Sequence, residues 1–464
     1  MFRKLTIFSL SLLRQYRLIG VVRLLLTSIS SGLFKRKFRI LFDSFTPPTK
    51  SSRQKFNLIS SFGGSKFGFL KRVIRERGTR HVALKAISLF RSGTLISSLR
   101  YILTLQKSEI SDETQILIVA NDLTWVSHIY RGKVFEKALV NLGFRVTTIS
   151  ESECRSLAKI PGSVKCIYFF RTGTSPNDLI WWENVRENVV IGYDTDDLIF
   201  DPSIYHEKNV AGLRHVDKET YGHLTGNYLM KQQAMIREAD FLTSPTSAIS
   251  VSYAKFSKAK VVKVPNIYLD SVEPYFRKTH YSPDDFVIGY ASGTKTHDKD
   301  FEVCIDAVWK FMDSNPHGRL EIVGYAPIDT QFIPLSLRNR VTFIKPVPHN
   351  QLLDLIRLWS VNIAPLEIND FTHGKSELKF LHAALVQVPT IASPSSSFLQ
   401  AITTGHNGII ACSSEDWFFA FEELYSNPVF RRQLGDMAFK STQKDYTLNR
   451  VQEILQESFL SVLD

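Results

Sequence analysis

The sequence predicts an α/β protein with two tandem Rossmann-like domains, preceded by a basic and mainly helical N-terminal region. Short, continuously apolar segments, which are typical of strands buried in a parallel sheet, begin near Gln115 and recur along the chain. Segments with apolar residues at helical spacing separate them, and this alternation starts afresh near Phe286. A length of 464 residues is sufficient for two cores of this size and a further region.

Charge and the alternation of strands and helices divide the chain into four regions. We expect a basic amphipathic region at 1–112, an N-terminal Rossmann-like domain at 113–280, a C-terminal Rossmann-like domain at 281–427 and a helical tail at 428–464. The net charge of +12 is unevenly distributed, because residues 1–107 contain 22 lysines and arginines but two acidic residues. The remainder of the chain is mildly acidic.

The N-terminal region combines its positive charge with interspersed apolar and aromatic residues. Basic side chains interrupt every apolar run, so none reaches the roughly 18 residues that a transmembrane helix needs. No small-residue cleavage site follows the first apolar stretch, as it would in a secretory signal. The combination favours helices that lie on an anionic membrane surface, with nucleic-acid binding and a solvated basic face as alternatives.

The four cysteines show neither metal-ligand spacing nor the pattern of a disulfide framework. Reduced thiols, as in a cytosolic protein, are therefore expected.

Residues 361–392 contain the most informative pattern in the chain. An apolar strand at 361–365 is followed by a polar loop, a helix at 377–385 and a second apolar strand at 388–392. This order predicts a βαβ unit with parallel strands.

The junction between that loop and that helix has the features of an anion site. Ser376 is a suitable N-cap, and Gly374 permits close approach of the backbone. The unpaired N–H groups at a helix N-terminus attract anions, and Lys375 and Lys379 add charge on the same face. The pattern indicates a diphosphate site, although a surface loop with two solvated lysines explains the same residues.

A second group of polar residues follows the first strand of the C-terminal domain, where phosphate-binding turns lie in such folds. Gly293, Thr294, Lys295 and Lys299 are the candidates for ligand contacts there. A pair of solvated lysines is the alternative interpretation.

Acidic residues follow a strand of the first domain, at the end where α/β proteins bind ligands. Asp196 and Asp197 are therefore candidates for ligand contacts. Asp194 and Asp196 also have the spacing of ligands for a divalent cation, and the same acids suit a capped loop.

A second loop of the first domain carries His128, Tyr130 and Arg131, between its first strand and its first helix. Arginine is well suited to an anionic ligand, because its planar fork matches phosphate geometry. These residues are therefore candidates for ligand contacts.

The segment GKSELKFL, followed by VPTIAS, resembles the C-terminal half of the GT-B glycosyltransferases of family 4, group 1 type. The form found here is similar to a subgroup of cell-surface polysaccharide and O-antigen transferases. Two glutamates separated by seven residues are usual in this family, and alignment on Pro389 puts Gly374 and His382 at their positions, with Glu377 out of register. The second glutamate usually holds the donor ribose, and a neutral histidine also hydrogen-bonds hydroxyls.

The resemblance implies a hexosyltransferase that moves a sugar from a nucleotide-sugar to a lipid-linked or other glycan acceptor with retained configuration. It further implies a role in cell-envelope polysaccharide synthesis, as a peripheral protein on the inner face of the cytoplasmic membrane. The expected partners are the nucleotide-sugar, the acceptor and an anionic membrane surface, with no nucleic acid, no cofactor and no metal. The alternatives are a GT-B nucleotide-sugar epimerase and a non-catalytic scaffold that binds a nucleotide-sugar.

The resemblance also sorts the candidate residues by role. The donor side is expected to include Gly293, Thr294, Lys295, Lys299, Gly374, Lys375, Ser376, Glu377, Lys379 and His382. The acceptor side is expected to include Tyr130 and Arg131, with Arg131 suited to an anionic acceptor such as a lipid diphosphate. The catalytic candidates are Asp196, Asp197 and His128. Asp196 or Asp197 would face the cleft between the domains and bind sugar hydroxyls or orient Arg131.

Overall fold

The computed structural model describes residues 110–458 apart from 124–125, 270–283, 294–298, 326–327 and 329. The basic region expected at 1–112 thus falls outside the described residues except for its last three positions, as does the end of the tail at 459–464.

The first domain is built on a sheet of six parallel strands. They are β1 (Ile116–Ala120), β2 (Val146–Ser150), β3 (Cys166–Phe170), β4 (Val190–Asp194), β5 (Phe241–Ser244) and β6 (Lys260–Lys263). Their order is β2-β1-β3-β4-β5-β6. The order aligns the carboxyl ends of β1, β3, β4 and β5 along one edge of the sheet.

Helices connect these strands. They are α1 (Val126–Tyr130), α2 (Gly132–Asn141), α3 (Glu151–Ser156), α4 (Trp182–Val185), α5 (Ala211–Arg214), α6 (Lys218–Gly222), a π-helical turn (His223–Tyr228), α7 (Leu229–Glu238) and α8 (Ser247–Tyr253). His128 and Tyr130 lie on α1 and not on the loop expected from the sequence, and the break between α1 and α2 falls at Arg131.

The second domain repeats the plan with six more parallel strands. They are β7 (Phe286–Ser292), β8 (Gly318–Gly324), β9 (Val341–Ile344), β10 (Val361–Ala364), β11 (Thr390–Ala392) and β12 (Ile409–Ile410), in the order β12-β11-β10-β7-β8-β9. The helices are α9 (Ile305–Ser314), α10 (His349–Ile356), α11 (Leu378–Leu385), α12 (Ser396–Ala401), α13 (Ser414–Ser426), α14 (Pro428–Asp445) and α15 (Leu448–Ser458). The predicted α/β class with two tandem Rossmann-like domains is confirmed.

The helical tail joins both domains rather than forming a unit of its own. Leu434 and Ala438 of α14 are buried in the cores of the second domain. Val451 and Leu455 of α15 are buried in the core of the first domain, together with residues of β1 and α2. The chain therefore returns to its first domain after it has completed the second.

The segments with strand periodicity are buried as their composition predicts. Every residue of β1 and β3 is buried, which agrees with a sheet covered by helices on both faces. In the described part of the chain, no helix combines the length and the apolar character that crossing a bilayer requires. The cysteines are free, and three of them, Cys154, Cys166 and Cys304, are buried.

Candidate active site

The loops that follow β4 and β10 meet where the two domains face each other. The Nζ atom of Lys375, from the second domain, lies 2.7 Å from Oδ1 of Asp197, from the first domain. We call this region, made by residues 195–201 and 365–376, the domain junction. Its position at the carboxyl ends of parallel strands is the usual position of ligands in α/β folds.

Gly374 lies buried at the domain junction because the first domain packs directly against it. A Cβ atom at this position would lie 2.6 Å from Cδ1 of Leu198, and the Thr246 hydroxyl donates a hydrogen bond to the Gly374 carbonyl at 3.2 Å. The close approach that the sequence predicts at this glycine therefore involves the neighbouring domain.

The predicted N-cap at Ser376 is wrong. Helix α11 begins at Leu378, and its N-cap position is Glu377, without a side-chain cap. The Ser376 hydroxyl instead accepts a hydrogen bond from Asn266 Nδ2 of the first domain at 2.9 Å. A tertiary partner has replaced the local one, and the first N–H groups of α11 receive no side-chain cap.

Lys379 lies in the first turn of α11 with a buried ammonium group. Its Nζ atom is buried without a hydrogen-bond partner and lies 4.6 Å from the centre of the Tyr290 ring. Burial lowers its pKa, Asp300 opposes this change, and the nearby Lys375 ammonium adds to it. A buried, unpaired ammonium is costly, so an anion bound here would gain from both lysines.

Asp300 is a residue of the candidate site that the sequence interpretation did not include. The residue is buried, and its Oδ1 accepts a hydrogen bond from the backbone N–H of Glu367 at 2.9 Å. It thereby ties the turn after β7 to the loop after β10. Its place directly after Lys299 was the available signal.

The acids of the first domain surround an arginine that the sequence interpretation missed. Arg171 NH1 lies 2.7 Å from Asp196 Oδ1, and its NH2 lies 3.1 Å from Asp197 Oδ2. Burial by itself lowers the pKa of Arg171, yet the net change is upward because both carboxylates stabilise the cation. Arg171 directly follows the buried strand β3, and that position was the signal available in the sequence.

Within this cluster, Arg171 has an unusual backbone conformation and Asp196 has a shifted pKa. Arg171 has a φ of 48°, in the left-handed region that non-glycine residues rarely adopt. Burial raises the pKa of Asp196 and Asp197 adds to the rise, whereas Arg171 and Lys375 oppose it. The Asp196 carboxyl is therefore harder to ionise than an ordinary aspartate, despite its two neighbouring cations.

Arg131 lies in the interior of the first domain and pairs with Asp194. Its Nε donates to Asp194 Oδ1 at 3.1 Å, its NH2 contacts Asp194 Oδ2, and its NH1 donates to the Val264 carbonyl. Both side chains are at most 1% exposed. This position differs from that expected of an acceptor-binding arginine, because the guanidinium faces protein on all sides.

Asp194 belongs to the same buried pair and also accepts a hydrogen bond from Thr243. The alternative in which Asp194 and Asp196 ligate a cation is not favoured by this geometry, since both Asp194 oxygens contact Arg131 or Thr243. Among the described residues, no three His, Cys, Asp or Glu side chains converge as a metal site requires.

Tyr130 and His382 form a direct link between the domains. The Tyr130 hydroxyl lies 2.5 Å from His382 Nε2, and the two ring centroids are 5.4 Å apart. The structure thus brings together one residue expected on the acceptor side and one expected on the donor side.

Two further candidates lie buried away from open solvent. His128 is 3% exposed, its Nδ1 has no hydrogen-bond partner, and burial lowers its pKa, so it is held neutral. Burial raises the pKa of Glu377, whose carboxyl hydrogen-bonds Tyr446 beyond α14. Glu377 therefore connects the start of α11 to the tail.

The turn after β7 is described only in part. Gly293 and Lys299 are exposed, and a Cβ atom at Gly293 would meet no atom within 4 Å. Thr294 and Lys295 lie outside the described residues.

Known proteins resemble this chain most clearly in the second domain. Residues 285–427 match the family model described as glycosyl transferases group 1. The second domain is similar to group 1 glycosyltransferases. No curated protein matches the chain.

Solved structures share the two-domain GT-B fold. Sucrose-phosphate synthase from Thermosynechococcus elongatus is 15% identical, with a TM-score of 0.51 over 75% of this chain and 99% of that one. Anabaena HepE in complex with UDP and glucose is 14% identical, with a TM-score of 0.48 over 75% and 100%. TarM of S. aureus is 11% identical with a TM-score of 0.46 over 67% of this chain, which spans 55% of TarM's length.

Proposed function

We propose that this protein is a glycosyltransferase that takes a sugar from a nucleotide-sugar donor, whose diphosphate binds at the start of α11. One observation carries the proposal: the Lys379 ammonium is buried at the first turn of a helix with no hydrogen-bond partner. Lys375 lies close enough to lower its pKa further. A dianionic group at this point would satisfy both lysines and the uncapped N–H groups of the helix.

The same arrangement suits the chemical step of a sugar transfer. Negative charge grows on the leaving diphosphate as the bond to the sugar breaks, and fixed cations stabilise that charge without a metal. Lys375, Lys379 and the exposed Lys299 supply them from two loops of the second domain. The expected retained configuration follows from the family resemblance and requires an oxocarbenium-like centre held between the domains.

The first domain would bind the acceptor, which we take to be a lipid-linked or other glycan. Asp196 and Asp197 are 18% and 14% exposed and belong to the domain junction, and carboxylate oxygens are suitable acceptors for sugar hydroxyls. Tyr130 reaches the second domain through His382 and thereby connects the two sides.

A screen of nucleotide-sugars by thermal shift tests the proposed donor site. A donor should raise the melting temperature of the wild type, and Lys379→Ala should abolish most of that shift. Lys310→Ala is the matched control, because the Lys310 ammonium rests 4.1 Å from the Phe418 ring, in α9 and α13. Equal shifts in all three proteins would exclude Lys379 from the site, and no shift with any donor would argue against the function.

The basic N-terminal region is proposed to hold the enzyme on the inner face of the cytoplasmic membrane, for cell-envelope polysaccharide synthesis. The 22 basic and two acidic residues of 1–107 support this, since each basic residue near an anionic surface contributes about 1 kcal/mol. Salt-sensitive binding to anionic vesicles by the full chain, lost in a chain that begins at 108, is the expected result. Vesicle binding by the shortened chain would contradict it.

A further inference from the structure

The two lysines of the proposed donor site have unequal partners. Lys375 is bound by the Asp197 carboxylate at 2.7 Å, whereas the Lys379 ammonium has no hydrogen-bond partner. Asp197 belongs to the first domain and the lysines belong to the second. A protein carboxylate from across the domain junction thus occupies one half of a two-lysine anion site.

The Asp197 carboxylate also contacts a second cation. Arg171 NH2 contacts Asp197 Oδ2 at 3.1 Å, while Lys375 contacts Oδ1. If Lys375 turned away, Asp197 would keep the arginine and would not become a buried unpaired charge, which is the costly outcome of breaking such pairs. Asp197 and Lys375 are 14% and 25% exposed, so an exchange of partners also has solvent access.

We propose that the Asp197 carboxylate competes with the donor diphosphate for Lys375. Arg171 is the positioning residue, because it holds the Asp197 carboxylate in place. Binding of a diphosphate at Lys379 draws Lys375 from Asp197 to the ligand, and Arg171 retains the carboxylate. The exchange breaks one ion pair between the domains when the donor binds, so donor binding and domain contact are coupled. The inference rests on the proposed function and adds the regulation of its donor site.

Other contacts between the domains do not involve the lysines. Arg214 NH2 lies 3.0 Å from Glu367 Oε2, and Asn369 Nδ2 donates to the Asn209 carbonyl at 3.1 Å. These contacts remain when Lys375 changes its partner, so the exchange alters the junction without separating the domains.

Calorimetric titration of the full chain with inorganic pyrophosphate, UDP and GDP tests the competition. Asp197→Asn should tighten the binding of whichever ligand the wild type binds, by about fivefold, as expected for removal of a partly exposed ion pair. Lys375→Ala should weaken binding, and adding Asp197→Asn to that variant should then change nothing. The increase in affinity caused by Asp197→Asn should require Lys375. A general loss of negative charge would instead increase the affinity for an anion both in the wild type and in Lys375→Ala.

Glu367→Gln is the matched control, since it also removes one negative charge and one ion pair between the domains. Its affinity for pyrophosphate should equal that of the wild type. Arg171→Lys, which keeps a charge but loses the fork, should weaken binding partly, and Arg171→Met more fully, because Asp197 then lacks the partner that it keeps when Lys375 leaves.

Three results would overturn the proposal. They are unchanged or weaker binding in Asp197→Asn, a gain that persists without Lys375, and an equal gain in Glu367→Gln. If neither the wild type nor any variant binds any of the three ligands, both the proposed diphosphate site and the proposed competition are refuted. Binding by the wild type with no gain in Asp197→Asn removes the competition alone.

Discussion

Two neighbouring lysines at the start of α11 differ in their surroundings, and this difference gives them different roles. Lys375 is 25% exposed, bound to Asp197 and 4.8 Å from the centre of the Phe371 ring. Lys379 is buried without a hydrogen-bond partner. In the proposed donor site Lys375 would exchange partners at low cost, whereas a bound anion would compensate the buried charge of Lys379.

Replacement of Lys375 by alanine should lower kcat/KM for sugar transfer by about tenfold to a hundredfold. A charge-assisted contact to phosphate contributes roughly 1.5–3 kcal/mol, and the charge on the leaving group grows in the transition state. Lys375→Arg should recover part of the loss, because a planar fork replaces a point charge. Steady-state kinetics with an identified donor measure the effect, and wild-type kinetics in Lys375→Ala would remove this residue from the site.

As pH rises, the affinity for a nucleoside diphosphate should begin to fall at a lower pH than it would if Lys379 had the pKa of an ordinary lysine. Burial lowers the pKa of Lys379 below its ordinary value of 10.5, so the protonated form that binds an anion is lost earlier as pH rises. The unfolded chain holds this proton more strongly, so this group's contribution to stability rises with pH between the folded and unfolded pKa values. Dissociation constants of UDP measured from neutral to alkaline pH test this, with Lys379→Arg expected to move the decline upward.

At the scale of elements, the turn between α11 and β11 is held by close packing against α14. Gln387 in this turn has a φ of 59°, and its carbonyl oxygen would lie 2.1 Å from a Cβ atom at Gly435. Gly435 therefore has a packing role inside a helix, where glycine is otherwise unfavourable. The turn fixes the C-terminal end of the helix whose first turn carries Lys379.

Gly435→Ala should destabilise the protein by about 1–3 kcal/mol, although helix propensity alone predicts stabilisation. The new methyl group meets backbone, which cannot move aside as a flexible side chain does. Gly222→Ala is the control, since a Cβ atom there meets nothing within 4 Å. Urea unfolding measures both, and a more stable Gly435→Ala variant would show that α14 shifts freely.

At the scale of the molecule, the first and the last of the described residues belong to the same domain. Helix α15 follows the second domain but packs against α2, with Val451 and Leu455 in the first domain's core. The first domain is therefore incomplete until the C-terminal residues have been added. Folding of the two domains is consequently linked by the chain itself.

Leu455→Ala should cost about 2–5 kcal/mol of stability, as is usual when a buried leucine is truncated. The loss arises in the first domain, although the residue lies at the far end of the sequence. Gln456→Ala, on the exposed side of the same helix, should change stability by less than about 0.5 kcal/mol. Equal unfolding midpoints for both variants would contradict the burial of Leu455.

Sugar transfer should proceed unchanged in excess chelator once a donor is identified. The lysines of the second domain supply the cationic charge, and Asp194 is engaged by Arg131. Turnover assayed with and without EDTA is the measurement. Activity that disappears with chelator and returns with manganese would require a metal site formed with residues beyond these.

The sequence by itself determined the two α/β domains, because strand and helix periodicities are local properties of the chain. It also determined the βαβ unit at 361–392 and identified Lys375 and Lys379 as candidates, since both depend on residues close in sequence. The tertiary structure alone decided the partners of these residues. Asp197 lies 178 positions from Lys375, and no local pattern indicates which loops of two domains will meet.

The same reason explains where the sequence interpretation differs from the structure. Ser376 bonds Asn266, 110 positions away, and does not cap α11, whose N-cap position is Glu377. Arg131 has the composition of a surface anion contact, yet packing of α2 against the sheet buries it beside Asp194. Residue type and local spacing specify what a side chain is able to bind, whereas the fold specifies which group lies within contact distance of it.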